Sequence, residues 1–351
     1  MTCKSDGDTV SGEWDAFVAA TPNATLSHIN RWREVIANAY GHRTFYLTAR
    51  QDGAIVGILP LVHIKSRLFG NSLVSMPFQD YGGIAAGNHE ASRALLDQAL
   101  QLKKEHSARF VELRYREEPP AFDSSEGTAY GDKSTLILDI SSGAENLWKS
   151  FSPKVRNQVR KAQKSGLAVK IGGAELLDEF YRPFAVNMRD LGSPVHHPKF
   201  FTEIFRVFGD DVRLAIIREG KKTVGGLVAL FHKDTAIVPW ASCYRDYFSK
   251  CPNNLLYWET MQYACARGCA RFDFGRSSLN SGTYKFKLQW GAVPFPLHWR
   301  IYGAGGADKT GNAAQPATEG RSLRLASAVW KHIPVGIANI VGPRARRFIS
   351  N

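Results

Sequence analysis

The sequence predicts a mixed α/β protein with mixed β-sheets, built as two consecutive domains. Three observations predict it. The chain has 351 residues, more than one core usually organises. Each half repeats one grammar of helices, strand meander, helix and strand. Between the halves, Glu117-Glu118-Pro119-Pro120 through to Gly127 is polar and rich in chain breakers, which marks a junction. The expected divisions are an N-terminal domain at 1–125, a C-terminal domain at 126–302, a flexible linker at 303–322 and a basic amphipathic tail at 323–351.

In the first half, Glu13 to Ala20 reads as a short helix. Ser27 can cap a second one, with Ile29, Trp32, Val35 and Ile36 at helical spacing and Gly41 as its stop. Thr44–Ala49 and Ile55–Ile64, joined through Asp52-Gly53, read as a hairpin. Pro60 implies an edge, bulge or end in its second strand. A strand at Ser72–Met76 runs into Pro77-Phe78-Gln79-Asp80-Tyr81. A helix at His89–Glu105 and a strand at Arg109–Arg114 complete this half.

In the second half, Ser134–Ile140 reads as a strand, and Ser141 or Ser142 caps a helix through Phe151. Helices follow at Ser152–Gly166, Leu176–Leu191 and Lys199–Phe208. Val212–Arg218, Thr223–Phe231 and Thr235–Ala241 form a meander that Pro239-Trp240 ends. Pro252 then opens a helix to Arg267. Phe272-Asp273-Phe274 reads as a strand broken by Gly275. A polar turn follows, and alternation through Tyr284, Phe286, Leu288 and Trp290 predicts a second strand.

Two stretches concentrate charge. In Ser152–Gly166, Val155, Val159 and Ala162 form one apolar face, while Lys154, Arg156, Arg160, Lys161 and Lys164 cover most of the rest. No Asp or Glu lies between Asn146 and Ala174. An exposed helix is normally stabilised by mixed signs, so this one is either a solvated basic face or a site for phosphate, for which the planar guanidinium is suited. In Arg271–Gly291, Asp273, Arg276, Lys285 and Lys287 surround one tight loop beside aromatics. A surface hairpin and a binding site both fit that pattern.

The formal net charge is +13, which favours anionic partners without choosing among them. Five cysteines, irregularly spaced, predict reduced thiols of a cytoplasmic protein rather than a disulfide framework or a zinc site. The polar N-terminus has no signal-peptide core, and no apolar run approaches a membrane span. His196-His197 lies between prolines in a loop, where exposure is the usual fate; His196 remains an outside candidate for acceptor binding. The tail carries Trp330, Ile333, Ile337, Ile340 and Val341 before Arg344, Arg346 and Arg347. It either lies on an anionic membrane, at its inner face, or packs back on the domains.

Lys154-Val155-Arg156-Asn157-Gln158-Val159-Arg160-Lys161-Ala162, then Phe272-Asp273-Phe274-Gly275-Arg276, then Gly282-Thr283-Tyr284-Lys285-Phe286-Lys287 with Trp290-Gly291, resemble in order and spacing the FemAB family. The similarity runs from about Leu26 to Tyr302. Its nearest branch resembles the FemAB-related proteins of exosortase/PEP-CTERM exopolysaccharide systems. The resemblance implies two tandem GNAT-like (acyl-CoA N-acyltransferase) domains facing across a cleft. It also implies an acyl- or aminoacyltransferase acting on an amine of a cell-envelope or exopolysaccharide precursor, a small or lipid-linked anionic acceptor. The donor it implies is aminoacyl-tRNA or acyl-CoA, with no tightly bound cofactor, metal or DNA.

Carried over by residue, the resemblance gives Arg156 and Asn157, with Arg160, as acceptor-phosphate contacts and Lys287 as the cation beside the donor ester. Asp80, in a Gly-Pro-x-x-Asp-Tyr element, is the candidate base, meeting Lys287 across the cleft. The family's leading glycine is Met76 here. Tyr81, Trp240, Tyr244, Arg276, Tyr284 and Phe286 are the remaining candidate substrate contacts. The family's nucleotide-diphosphate lysine has no counterpart in Arg33-Glu34-Val35-Ile36, which disfavours a UDP-muramyl-peptide acceptor. The glycine-rich coenzyme A loop is replaced by Ser249-Lys250-Cys251-Pro252-Asn253-Asn254, and the proline removes a donor there. No Cys-His or Ser-His-Asp arrangement is legible, which favours direct transfer. Two other classes stay open: a non-catalytic GNAT-fold accessory protein of polysaccharide or membrane assembly, and an RNA-binding module, although no RNP or KH signature occurs.

Overall fold

A computed structural model describes residues 2–5, 11–67, 70–119, 127–303 and 321–350. Most of the expected linker, 304–320, lies outside the described residues. Two compact units emerge: Met1–Asp132 with Pro296–Leu325 and Ala345–Asn351, and Lys133–Phe295 with Ala326–Arg344.

The first sheet comprises β1 (Thr2–Ser5), β2 (Arg43–Gln51), β3 (Ala54–Ser66), β4 (Gly70–Val74), β5 (Ala85–Ala86), β6 (Val111–Tyr115) and β7 (Gly127–Tyr130). The second holds β8 (Lys133–Asp139), β9 (Leu167–Gly172), β10 (Val212–Glu219), β11 (Lys222–His232), β12 (Thr235–Cys243), β13 (Arg271–Ser278) and β14 (Val293–Pro296). The chain then returns: β15 (His298–Tyr302) sits in the first sheet, antiparallel to β6 on one side and β7 on the other. This corrects the expected domain limits. The break falls at 132/133, and the segment ending at 302 pairs with the N-terminal half.

The two sheets repeat one plan, in the orders β1-β2-β3-β4-β6-β15-β7 and β9-β10-β11-β12-β13-β8-β14. In each, the fourth and fifth strands are the parallel pair, β4 with β6 and β12 with β13. Both pairings are brief. β4 and β6 share two register pairs and β12 and β13 share three, after which each pair parts.

The helices of the first unit are α1 (Ser11–Ala20), α2 (Trp32–Tyr40) and α3 (His89–Glu105). Asn88 caps α3 by accepting from the Ala91 amide. Its Leu95, Leu96, Ala99 and Leu102 pack with Leu47, Leu59, Leu61 and Leu113 of the sheet.

The second unit has α4 (Gly143–Ser150), α5 (Pro153–Lys164), α6 (Leu177–Asp190), α7 (Pro198–Phe208), α8 (Pro252–Ala266) and α9 (Gly282–Leu288). Ser152 caps α5 through the Val155 amide, and Val155, Val159 and Ala162 are fully buried in the core with Leu256 and Met261 of α8. Burying each valine is worth about 1.5–3 kcal/mol, which fixes the basic side of α5 outward. The tail forms α10 (Arg321–Trp330) and α11 (Val335–Arg346).

Four local expectations fail. Ser27 does not cap α2; it lies in a 3₁₀ turn, Leu26–His28, and α2 starts at Trp32. Gly275 does not end β13; it adopts φ +71° inside a bulge, and the strand continues to Ser278. Pro239-Trp240 does not end β12, which runs to Cys243. The stretch Gly282–Leu288 is a helix, not a strand, with the Ser281 hydroxyl accepting from the Tyr284 amide as its N-cap.

Candidate active site

Lys287 follows from that last correction. It projects from α9, not from a strand end in water, and is only 6% exposed. Its ammonium donates to the carbonyls of Gly275, at 2.7 Å, and Arg276, at 3.0 Å. The bulge aims those two carbonyls at one point, and glycine supplies the left-handed backbone that the bulge requires. On the other side of Gly275 lies the buried carboxylate of Asp273, which accepts from the Gly275 amide at 2.8 Å and the Thr135 hydroxyl at 2.6 Å. The bulge is therefore held from both sides by buried groups of opposite charge, beside the point where β12 and β13 part. Arg276 is half-buried. Tyr284 is buried, and Phe286 packs on Tyr257 and Trp290.

The other candidates of this unit form separate groups. Trp240 packs edge-on against Phe200 and Phe201, with His196 stacked on Phe200 at 4.6 Å. His196 is 1% exposed, contrary to the exposed loop position expected. Its neighbour His197 instead caps α7 by accepting from the Lys199 amide. Tyr244, half-buried, follows β12, and its amide donates to the Val224 carbonyl.

On α5, Asn157 and Arg160 are exposed, and the Arg160 guanidinium lies 5.6 Å from the Trp148 ring centroid. Arg156 already has a structural task. It donates to the carbonyls of Lys149, at 3.0 Å, and Phe151, at 2.6 Å. These lie at the C-terminal end of α4, where a cation also complements the helix dipole.

In the first unit, Asp80 is half-buried on the loop after β4. Arg114 and Trp299, which sequence reasoning missed, set that loop. Arg114 is wholly buried and pairs with Glu112, donating at 2.7 and 2.6 Å. It also donates to the Gln79 carbonyl at 2.8 Å and stacks 4.2 Å from the Trp299 ring centroid. Trp299 in turn donates its indole N–H to the Asp80 carbonyl at 2.9 Å. Tyr81 is buried against Trp299 and Leu297. It also lines a pocket of about 230 Å³ with His28, Gly82, Arg114 and Glu117.

Met76, where the family element has glycine, takes φ +49°, a conformation that costs a non-glycine residue about 1–2 kcal/mol. The loop thus keeps the glycine-type backbone without the glycine. A signal for Arg114 existed in Glu112-x-Arg114: opposite charges two apart on an otherwise apolar strand share one face.

The cysteine thiols are free. Burial pushes those of Cys243, Cys265 and Cys269 up, away from the thiolate that a nucleophile needs.

The family described as "Acetyltransferase (GNAT) domain" matches residues 149–288. Among curated proteins, a lipid II:glycine glycyltransferase of Staphylococcus aureus (strain MRSA252) is 26% identical over 227 residues, covering 57% of this chain and 51% of its own. The chain spans about half the length of the curated relatives it matches.

The crystal structure of FemX superposes with a TM-score of 0.69 at 18% identity, covering 86% of this chain and 97% of that one. A tandem GNAT protein from the clavulanic acid pathway superposes at 0.57, with 12% identity over 88% of this chain and 100% of that one. L-PGS from Bacillus licheniformis gives 0.56 at 13% identity, covering 92% and 97%. These likenesses show two GNAT folds in tandem. With the sequence match and the domain match at 149–288, the chain is similar to FemAB-type proteins and shares their tandem GNAT fold.

Proposed function

We propose that the protein is an aminoacyltransferase that moves an aminoacyl group from charged tRNA to an amine of a lipid-linked, anionic cell-envelope precursor, of peptidoglycan or exopolysaccharide type. The observation that carries the reading is the Lys287 ammonium, buried and fixed by two main-chain carbonyls beside the parting of β12 and β13. A cation held in a water-poor position, with no reorganisation needed, suits the stabilisation of a developing oxyanion.

In this reading the neutral acceptor amine attacks the donor ester carbonyl. The C–N bond forms and negative charge moves to the carbonyl oxygen, which Lys287 stabilises. The carbonyl then re-forms as the ester C–O bond to the tRNA breaks; Asp80 takes the amine proton and passes it to the departing oxygen, which leaves as the tRNA hydroxyl. The raised thiols support direct transfer without an enzyme-bound intermediate. Arg160 and Asn157, with Arg156, face the acceptor's phosphate; Tyr81, Trp240, Tyr244, Arg276, Tyr284 and Phe286 supply the remaining contacts.

The start of α8 favours tRNA over coenzyme A. Pro252 has no N–H, Cys251 before it is left-handed at φ +56°, and the Asn254 amide already donates to the Cys251 carbonyl. This reduces the supply of N–H donors that a pyrophosphate would use there. Charged tRNA also places the reaction in the cytoplasm.

The test offers the purified protein a pool of aminoacylated tRNAs and, separately, acetyl-CoA, each with lipid-linked amine acceptors. Mass spectrometry should show aminoacylated acceptor from the tRNA pool. Acylation from acetyl-CoA alone would overturn the donor, and a product in neither would overturn the activity.

A further inference from the structure

The tail packs on the protein, yet it packs the wrong way round for a helix in water. On α11, Ile337, Ile340, Val341 and Arg344 fall at i, i+3, i+4 and i+7, so they share one face. The three aliphatics are 51%, 63% and 45% exposed. The opposite face holds Ala338, 2% exposed, and Gly342. A Cβ on Gly342 would come within 3.2 Å of the Val195 amide nitrogen and 3.3 Å of the Trp330 ring, so this face of the helix is closely seated. Arg189 donates to the Ile333 carbonyl at 3.1 Å and anchors the turn before α11. The helix is thus seated with Ala338, Gly342 and Arg346 inward and its exposed large aliphatics outward. Val329 on α10 adds a further aliphatic, 65% exposed.

Charge identifies what would cover this face. After Glu319 the sequence contains no Asp or Glu and six Lys or Arg. Lys331, His332 and Arg344 are exposed beside the stripe. Protein partners usually meet mixed charge at a rim, whereas a segment whose own charges are all basic, beside exposed aliphatics, matches an anionic lipid surface. No described helix is long and apolar enough to cross a membrane. We infer that the outward stripe of α11, Ile337, Ile340 and Val341 with Lys331 and Arg344 at its margin, docks on an anionic phospholipid bilayer, the helix lying along the headgroup plane. Packing against the protein and contact with a membrane, set as alternatives by the sequence, are here two faces of one helix.

The inference goes beyond acyl transfer and stands or falls separately from it. Its test is co-sedimentation of the full chain with phosphatidylglycerol vesicles and with phosphatidylcholine vesicles. The wild type should pellet with the first, bind the second at least about tenfold less, and be released by salt. Ile337→Ser/Ile340→Ser/Val341→Ser should weaken binding at least about tenfold. Lys331→Gln/Arg344→Gln should weaken it by about fivefold per charge removed. Matching thermal midpoints would show that the variants fold, which the exposure of all five residues predicts.

Three results would overturn the inference: no binding by the wild type, equal binding to both lipids, or unchanged binding by the triple variant. Concentration-dependent self-association that the triple variant abolishes, without vesicle binding, would assign the stripe to a second copy of the chain instead. Transfer to a soluble amine acceptor should survive the triple substitution, so a failure of docking would not be mistaken for a failure of catalysis.

Discussion

At Lys287, one ammonium carries a structural task and, in the proposed reaction, a chemical one. A lysine at the end of a strand could be replaced at little cost to folding, but this one satisfies two carbonyls of the Gly275 bulge. Lys287→Met leaves both without that donor, which costs about 1–3 kcal/mol for an unsatisfied buried group. The expected outcome is a lower unfolding midpoint together with a transfer rate down about 10²–10³-fold, compared per folded molecule well below the midpoint. A variant with a lowered midpoint and full rate would leave Lys287 a purely structural residue. Asp80→Asn separates the terms in the other direction. The contact from Trp299 is to the Asp80 main chain, so it survives the change. The rate should fall about 10²–10⁴-fold with a smaller shift in midpoint than Lys287→Met causes. Full activity in Asp80→Asn would place the proton acceptor elsewhere. The sequence singles out both residues as candidates through their motifs. Their surroundings were not legible in it, because the partners of Lys287 are main-chain carbonyls and Arg114 reaches the Asp80 loop from a strand more than thirty positions away.

Elements were readable where pattern and cap agreed, and misread where two periods competed. α3 and α5 show agreement: Asn88 and Ser152 cap them, and each buries one apolar stripe. α9 shows the competition. Tyr284, Phe286, Leu288 and Trp290 alternate like a strand, but the buried positions of the helix are Tyr284 and Lys287, three apart, and Leu288 is 39% exposed. A lysine held a buried helical position, so hydrophobicity alone gave the wrong period. Ser281, an N-cap candidate, was the signal for the right one. β15 escaped notice because five residues that follow Pro294 and Pro296 look like loop, and only the partners β6 and β7 make them a strand.

The packing of α5 gives its two arginines separable expectations for anion binding. Arg156→Ala removes the cap on α4 as well as a charge, so it should lower the unfolding midpoint, at about 0.3–1 kcal/mol for a cation at a helix end. Arg160→Ala removes an exposed charge and should leave the midpoint nearly unchanged while weakening affinity for an acceptor diphosphate. Isothermal titration at low salt with the two variants distinguishes the roles. Unchanged affinity in Arg160→Ala would remove that residue from the site.

For the whole molecule, the last residues complete the first unit. The Ser350 carbonyl accepts from the Phe78 amide and from Arg114, both at 3.0 Å. His42 holds the Arg347 carbonyl at 2.7 Å, an acceptor to which the neutral ring must donate its N–H. Burial keeps the His42 imidazole below its ordinary 6.5; the hydrogen bond to the Arg347 carbonyl opposes this, and the charges of Arg347 and His63 add to it. The unfolded chain therefore binds the proton first as pH falls, and stability is full above about 6.5 and declines below it. The unfolding midpoint should drop on acidification from about pH 7 to 5, and His42→Gln should flatten that slope. An unchanged slope would assign the acid sensitivity to other groups. Removing residues 345–351 should speed amide exchange at Phe78, since that amide loses its acceptor.

β15 has a further consequence, for synthesis. It lies inside the first sheet, between β6 and β7, yet more than 160 residues separate it from β7 in the chain. The N-terminal unit therefore cannot close its sheet as it leaves the ribosome, and the edge of β6 waits unpaired while the whole second unit is translated. Premature termination anywhere before residue 302 leaves that edge open to another chain. A nascent chain of this protein should engage chaperones late in its synthesis, and a truncated chain ending at residue 132 should aggregate instead of yielding a soluble domain.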